Sequence, residues 1–290
     1  MDTVEPGHRT ESTFALRARW ILQGISSRIF ARSDLKIIRG FPLFFPNSAG
    51  SVKDLARLTM LSADQTFPLL VDLVSRNGTP AQEPTPIASL VDTEGKKAAA
   101  AELKTLFDKF GSDKSKYHDY HLLYGSILAE PPRVTHVFEV GLGTNNRDVV
   151  SHMVGRGDQP GASLRAFREF LPHAQIFGAD IDRRILFEEE RISTFFLDQT
   201  DPRSFDVLSA SIPGDFDLII DDGLHSPSAN IATLSFGLGK LKIGGWVVVE
   251  DIAPRALALW QVIATLLPEA YESHIVRAQD ALLFAVRRLQ

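Results

Sequence analysis

The sequence predicts an α/β fold, a doubly wound and mostly parallel sheet of seven strands preceded by a helical N-terminal region. Three observations carry this reading. After Pro131, short apolar runs alternate with helical stretches, the pattern of parallel strands joined by crossover helices. From Phe14 to about Phe110 the apolar residues recur instead at helical spacing, as in Val52, Leu55, Ala56 and Leu58, and again in Leu103, Leu106, Phe107 and Phe110. Between the two lies "NGTPAQEPTP", Asn77 to Pro86, with the Pro, Gly and small polar residues of a linker. Residues 1–86 are therefore expected to form a helical region that oligomerises or closes over a substrate, and residues 87–290 a single α/β domain.

The elements follow in chain order. "RARWILQGISSRIFARSDLKIIRG" mixes Arg and Lys with large apolar side chains, which fits a helix packed on a neighbour or one lying on a membrane surface. "GFPLFFPNSAGS", Gly40 to Ser51, breaks the helical pattern. Strands are expected at "THVFEV" (135–140), "AQIFGAD" (174–180), "ISTFFLD" (192–198), "FDLIID" (216–221) and "GWVVVED" (245–251), with a closing pair at "YESHIVR" and "ALLFAVR". No internal repeat interrupts this series.

Composition removes several classes of function. At 290 residues, 44% hydrophobic and 23% charged, the chain can bury a full core. A net charge of -5 does not supply the basic surface that phosphate backbones require, so no nucleic-acid partner is expected. With no cysteine there is no disulfide, thiolate nucleophile or Cys-ligated zinc, and the cytoplasm is the expected compartment. No apolar run reaches the ~18 residues of a membrane span.

In a doubly wound sheet, ligands gather at the carboxyl ends of the strands. There the sequence places Glu139 with Gly141 and Gly143, Asp180, Asp198 with Gln199, Asp221 with Asp222, and Glu250 with Asp251. "EVGLGT" supplies two glycines for a tight turn and close backbone approach. The third glycine of a dinucleotide fingerprint is replaced by Asn146, which disfavours an NAD-dependent oxidoreductase. Asp180 either binds the ribose of an adenosine-containing cofactor or caps the next turn, and Asp198 and Gln199 end a strand where an adenine edge would lie. Asp221, Asp222, Glu250 and Asp251 crowd one sheet edge, an arrangement that protons or a hard divalent cation must neutralise. His225, just beyond the acidic pair, has the chemistry of a general base near neutral pH.

The ordered series "KFGSDKSKYHDYHLLYGSIL", "FEVGLGTNN", "GASLRAFREFLPHAQIFGADID", "FLDQTD", "FDLIIDDGLHS" and "GGWVVVEDI" resembles the class I S-adenosylmethionine-dependent O-methyltransferases of the mycinamicin type, which modify sugar hydroxyls. The last two motifs are also similar to the cephalosporin-hydroxylase-like proteins. The resemblance covers about Phe110 to Ile252 and implies a seven-stranded Rossmann-like fold, S-adenosylmethionine and Mg2+ as cofactors, and a sugar or glycoside hydroxyl as acceptor. It implies that Glu139, Gly141, Gly143 and Ser163 line the methionine part of the cofactor, with Asp180 on the ribose and Gln199 near adenine. It assigns the metal to Asp222, Glu250 and Asp251, with Asp221 as a further ligand, and catalysis to His225 as base beside Asp222. The segment holding Lys114, His118 and Tyr120 is expected to cover the cofactor. The chain departs from the family pattern at Thr144 and Asn145, where glycine is frequent, and at Leu224, where serine is common. A non-catalytic cofactor-binding protein is the alternative of a different class, and a homo-oligomer is expected.

Overall fold

The computed structural model describes residues 52–130, 133–153 and 159–290. The basic helix expected before Gly40 and the break at Gly40 to Ser51 lie outside the described residues. The chain divides into two compact units, Met1–Asp72 and Leu73–Gln290. A helix, α1, runs over Val52–Arg76, and Gly78 follows it with a left-handed φ of 90°.

The second unit is built on a nine-stranded sheet. Its chain order is β1 (Thr85–Pro86), α2 (Glu94–Phe110), α3 (Asp113–Lys116), α4 (His121–Ile127), β2 (His136–Val140), α5 (Ala162–Phe170), β3 (Gln175–Asp180), β4 (Glu188–Glu189), β5 (Ile192–Phe196), α6 (Pro202–Ser211), β6 (Phe216–Asp221), α7 (Pro227–Leu238), β7 (Leu241–Ile252), α8 (Leu257–Leu266), β8 (Tyr271–Arg277) and β9 (Leu282–Arg288). The strands lie in the order β1-β8-β9-β7-β6-β2-β3-β5-β4. The seven strands expected from sequence form its centre, and two-residue strands β1 and β4 are added at the edges. Strands β5, β3, β2, β6 and β7 are mutually parallel, while β9 runs antiparallel to both β7 and β8.

Period-two alternation explains why these strands read as continuous apolar runs, since both faces are covered. Val137, Leu218 and Ile220 face a core shared with Leu103, Phe107, Tyr124, Leu164 and Phe167, from α2, α4 and α5. Phe138, Ile219 and Val247 face the opposite core, with Leu208, Leu234 and Trp260 from α6, α7 and α8. Local signals set the helix ends. Thr93 accepts from the Lys96 amide and starts α2, and Gly111 ends it at a left-handed φ of 78°. Asp201 and Ser226 cap α6 and α7, each followed by proline at the first helical position. The sheet's territory begins ahead of residue 87. Thr85 and Pro86 pair in parallel with Val276 and Arg277, and the Gln82 side chain donates to the Ser273 carbonyl at 2.5 Å.

Candidate active site

A cavity of about 570 Å³ opens at the carboxyl ends of β2, β3, β5, β6 and β7, bounded by the loops that follow them. That size suits a nucleoside-bearing cofactor together with part of a second ligand. Its floor is the turn after β2. Gly141 and Gly143 adopt left-handed φ values of 93° and 80°. A Cβ on Gly141 would run into the Asp222 carbonyl, so the turn after β2 and the turn after β6 are packed backbone to backbone. Leu142 N in this turn donates to Asp180 Oδ2 at 2.8 Å, while Asp180 Oδ1 accepts from Asp182 N at 2.8 Å. Asp180 therefore organises its own turn, one of the two readings expected from sequence, and it also lines the cavity. Burial, the largest influence, pushes its carboxyl up despite these amide donors.

Asp182 was not singled out from sequence, yet it ties the loop after Gly143 to the sheet. It accepts from Thr144 Oγ1 at 2.6 Å and Asn146 Nδ2 at 2.7 Å, and its bond to Arg184 holds its carboxyl well below the usual range. Thr144 and Asn146 thus have a role that glycine could not fill. The signal was present in "ADID", where the second Asp falls on the far side of the turn from the first.

Below the cavity floor lies a buried charge cluster centred on Lys114, which is 1% exposed. Its Nζ stands 3.1 Å from Glu139 Oε1, 2.5 Å from Asp222 Oδ2 and 2.5 Å from Glu250 Oε2. Burial alone would lower the lysine pKa, but the three carboxylates outweigh it and hold the ammonium charged. Burial in turn pushes Glu139, Asp222 and Glu250 up, with Lys114 opposing it in each case. Glu250 is completed by the Tyr124 hydroxyl, which donates to Oε1. Glu139 accepts from Ser163 Oγ at 2.6 Å. It sits beneath the cavity wall, supporting Ser163 and Lys114, which do line it.

The acidic edge therefore divides differently from the expectation that four carboxylates hold one metal. Both oxygens of Glu250 face Lys114 and Tyr124. Asp221, fully buried, points to the other face of β6, where it accepts from Gln199 Nε2 at 2.8 Å and Asn230 Nδ2 at 3.1 Å. Successive strand residues face opposite ways, so Asp221 and Asp222 cannot both reach one ion. What converges instead is Asp222, His225 and Asp251, whose ligand atoms lie within 4.8 Å of one another. His225 Nε2 is 3.9 Å from Asp222 Oδ1 and 3.7 Å from Asp251 Oδ2. A hard divalent ion prefers oxygen ligands, so the Asp222 and Asp251 carboxylates suit one such cation, with the His225 imidazole beside it and its nitrogen left free for a proton.

Two backbone features aim these groups. Asp251 lies in β7 where its pairing with β9 slips, between Val249 opposite Phe284 and Ile252 opposite Leu282. Three residue steps on β7 match two on β9, a bulge that re-aims the side chain there. Asp251 and His225 both adopt left-handed backbones, at φ 53° and 55°. A non-glycine residue there costs about 1–3 kcal/mol, and the strain falls on two side chains that face each other. Tyr120, expected over the cofactor, instead donates its hydroxyl to Asp251 Oδ1 and stacks on His118, ring centroids 5.0 Å apart. His118 Nδ1 stands 3.8 Å from the same oxygen. Despite burial, which works the other way, the tyrosine and the two imidazoles hold Asp251 below the usual carboxylate range.

Gln199 forms a wall of the cavity, but both ends of its amide are engaged by the protein. Nε2 donates to Asp221 and to Thr233 Oγ1 at 2.8 Å, and Oε1 accepts from Leu224 N at 2.8 Å. Asp198, which also lines the cavity, accepts from Thr200 N at 2.8 Å.

No protein-family model matches the chain. Over 148 residues, half of its length, the chain is 32% identical to the 8-demethyl-8-alpha-L-rhamnosyl tetracenomycin-C 2'-O-methyltransferase of Streptomyces olivaceus, of which this covers 36%. Over 93 residues, 32% of the chain, it is 38% identical to the mycinamicin VI 2''-O-methyltransferase of Micromonospora griseorubida, covering 23% of that protein. The chain thus spans about a third or less of the length of the curated relatives it matches. Among solved structures, the MycE methyltransferase of the mycinamycin biosynthetic pathway, in complex with Mg and SAH, superposes with a TM-score of 0.52 at 19% identity, over 85% of this chain and 62% of that one. The described sheet accordingly has the class I methyltransferase fold, and half of the chain is related in sequence to the tetracenomycin sugar O-methyltransferase and about a third of it to the mycinamicin one.

Proposed function

We propose that this chain transfers the methyl group of S-adenosylmethionine to a hydroxyl of a sugar on a glycosylated natural product, assisted by Mg2+. One observation carries the reading. The cavity joins a glycine turn and Asp180, suited to an adenosine cofactor, to the cluster of Asp222 with the strained His225 and Asp251 at its other end. The relatives named for sugar O-methylation and the Mg- and SAH-bound neighbour support it.

The chemistry asks little of the protein beyond alignment, because the sulfonium carries its own leaving group. In-line displacement breaks the sulfur–methyl bond as the acceptor oxygen forms its bond to carbon, and the acceptor proton goes to His225 Nε2. Asp222 and Asp251, flanking that nitrogen, stabilise the imidazolium that results. Asp222 and Asp251 would hold Mg2+, which when bound would lower the acceptor pKa and fix the direction of the hydroxyl. Ser163, Gly141 and Asp180 hold the cofactor, with Asp198 and Gln199 walling its adenine end. Residues 87–290 carry the reaction, and the helical region before them serves self-association or closes over the acceptor.

The test is a methyl-transfer assay across rhamnosyl and other glycosides, with and without chelator. EDTA should abolish transfer and Mg2+ restore it. His225→Ala should lower turnover about a hundredfold or more, with SAH affinity little changed by calorimetry. Full activity in chelator overturns the metal role, and a fully active His225→Ala enzyme moves the base to one of the aspartates.

A further inference from the structure

Lys114 has no part in the transfer reaction as set out above, yet it is buried among three carboxylates. Its ammonium lies among Glu139, Asp222 and Glu250 at 2.5 to 3.1 Å, with its side chain 2% exposed. Asp222 is shared. Its Oδ2 meets Lys114, while its Oδ1 faces His225 on the cavity side. That is the arrangement of a carboxylate bridging two cations, one of which here is an ammonium. Two-metal sites place their ions ~3.5–4 Å apart across such bridging ligands, and three carboxylates around one point form an oxygen-rich pocket that a divalent ion would otherwise take.

We infer that Lys114 is a positioning residue standing in for a second divalent cation, so that the acidic edge takes one metal ion and that ion is confined to the Asp222, His225 and Asp251 side. The inference rests on the proposed function and adds to it a metal count and the residue that sets it. Charge supports the assignment. Glu139, Asp222, Glu250 and Asp251 bring four negative charges to the edge, and Lys114 offsets one of them. A second divalent ion beside the lysine would compete with its ammonium for the same Glu139, Asp222 and Glu250 oxygens. Hydrogen bonding supports it as well. Tyr124 and Ser163 donate to the Glu250 and Glu139 oxygens that point away from Lys114, so each carboxylate is oriented toward the ammonium by a neutral donor. Because the link is a fixed side chain, Glu139 beneath the cofactor wall and Asp222 at the metal are held at constant separation whether or not an ion is bound.

The experiment counts Mn2+ ions, read by electron paramagnetic resonance of free Mn2+ during titration of the full chain, beside calorimetry with SAH. The native chain should bind one Mn2+. Lys114→Met, which keeps the stem and removes the charge, should bind two, and Lys114→Met with Glu250→Gln should return to one. A merely structural lysine would lose metal on substitution; only a stand-in cation predicts a gain. If Lys114→Met is unfolded in chelator, Mn2+ should fold it, since the ion would replace the missing charge. Two ions on the native chain, one ion on a folded Lys114→Met chain, or a variant unfolded with and without Mn2+ each overturns the inference. A native chain that binds neither SAH nor Mn2+ overturns the proposed function itself, so the two failures are distinguishable.

Discussion

Asp221 and Asp222 are adjacent in sequence but do different work, and the difference follows from strand geometry. Asp221 is locked to Gln199 and Asn230, while Asp222 joins Lys114 to the cavity. That an acidic edge needs a counter-charge was legible in the sequence; that a lysine 108 residues earlier supplies part of it was not. The pairing depends on tertiary placement of α3, which no local pattern encodes. Asp180 tests the cofactor end. Asp180→Ala should weaken SAH binding by calorimetry, with some loss of stability, because the Leu142 and Asp182 amides lose their acceptor. Unchanged affinity would remove Asp180 from the cofactor site. His121, 7% exposed, offers a pH prediction away from the site. Burial is the main cause that lowers its pKa, so below ~6.5 the unfolded chain takes up more protons than the folded one. The stability it contributes is present above that pH and is lost as pH falls through the lowered folded value. His121→Gln should flatten the acid side of a urea-unfolding profile, and an unchanged slope would rule this histidine out.

At the scale of elements, the sequence located the seven long strands to within a few residues, because the central ones are apolar runs buried on both faces and bounded by polar turns. Strand β6 matches at both ends, and β7 begins four residues earlier than expected, at Leu241, since Gly244 and Gly245 do not end it. The bulge in β7 was invisible, as it comes from a mismatch with β9 rather than from any residue type. The two-residue strands β1 and β4 escaped notice because they are too short to show alternation. The contact between the β2 and β6 turns yields a sharp test. Gly141→Ala combines a left-handed backbone with a Cβ set against the Asp222 carbonyl, and should cost roughly 2 kcal/mol or more in stability. SAH and Mn2+ affinity should fall together, because one turn shapes both ends of the cavity. A variant with native melting temperature and affinity would show that the turn can open without consequence.

For the molecule as a whole, the fold class was readable from the order of periodicities, whereas the antiparallel insertion of β9 between β7 and β8 required the structure. The linker reading placed a boundary at residue 86, but Gln82, Thr85 and Pro86 are fastened to β8. Deleting residues 1–86 should therefore lower the melting temperature of the α/β unit below that of a chain cut at residue 78, which keeps Gln82 and β1. Equal melting temperatures would mean that β1 contributes nothing. This short strand has a second consequence, for aggregation. Both outer edges of the sheet end in two-residue strands, Thr85–Pro86 on one side and Glu188–Glu189 on the other. Proline cannot donate to another strand and paired glutamates repel one, so neither edge is a template for adding chains. A chain stripped of residues 1–86 loses the cover over Val276 and Arg277 and the Gln82 bond to the Ser273 carbonyl, and so bares more of the β8 edge to fibre-like growth on heating.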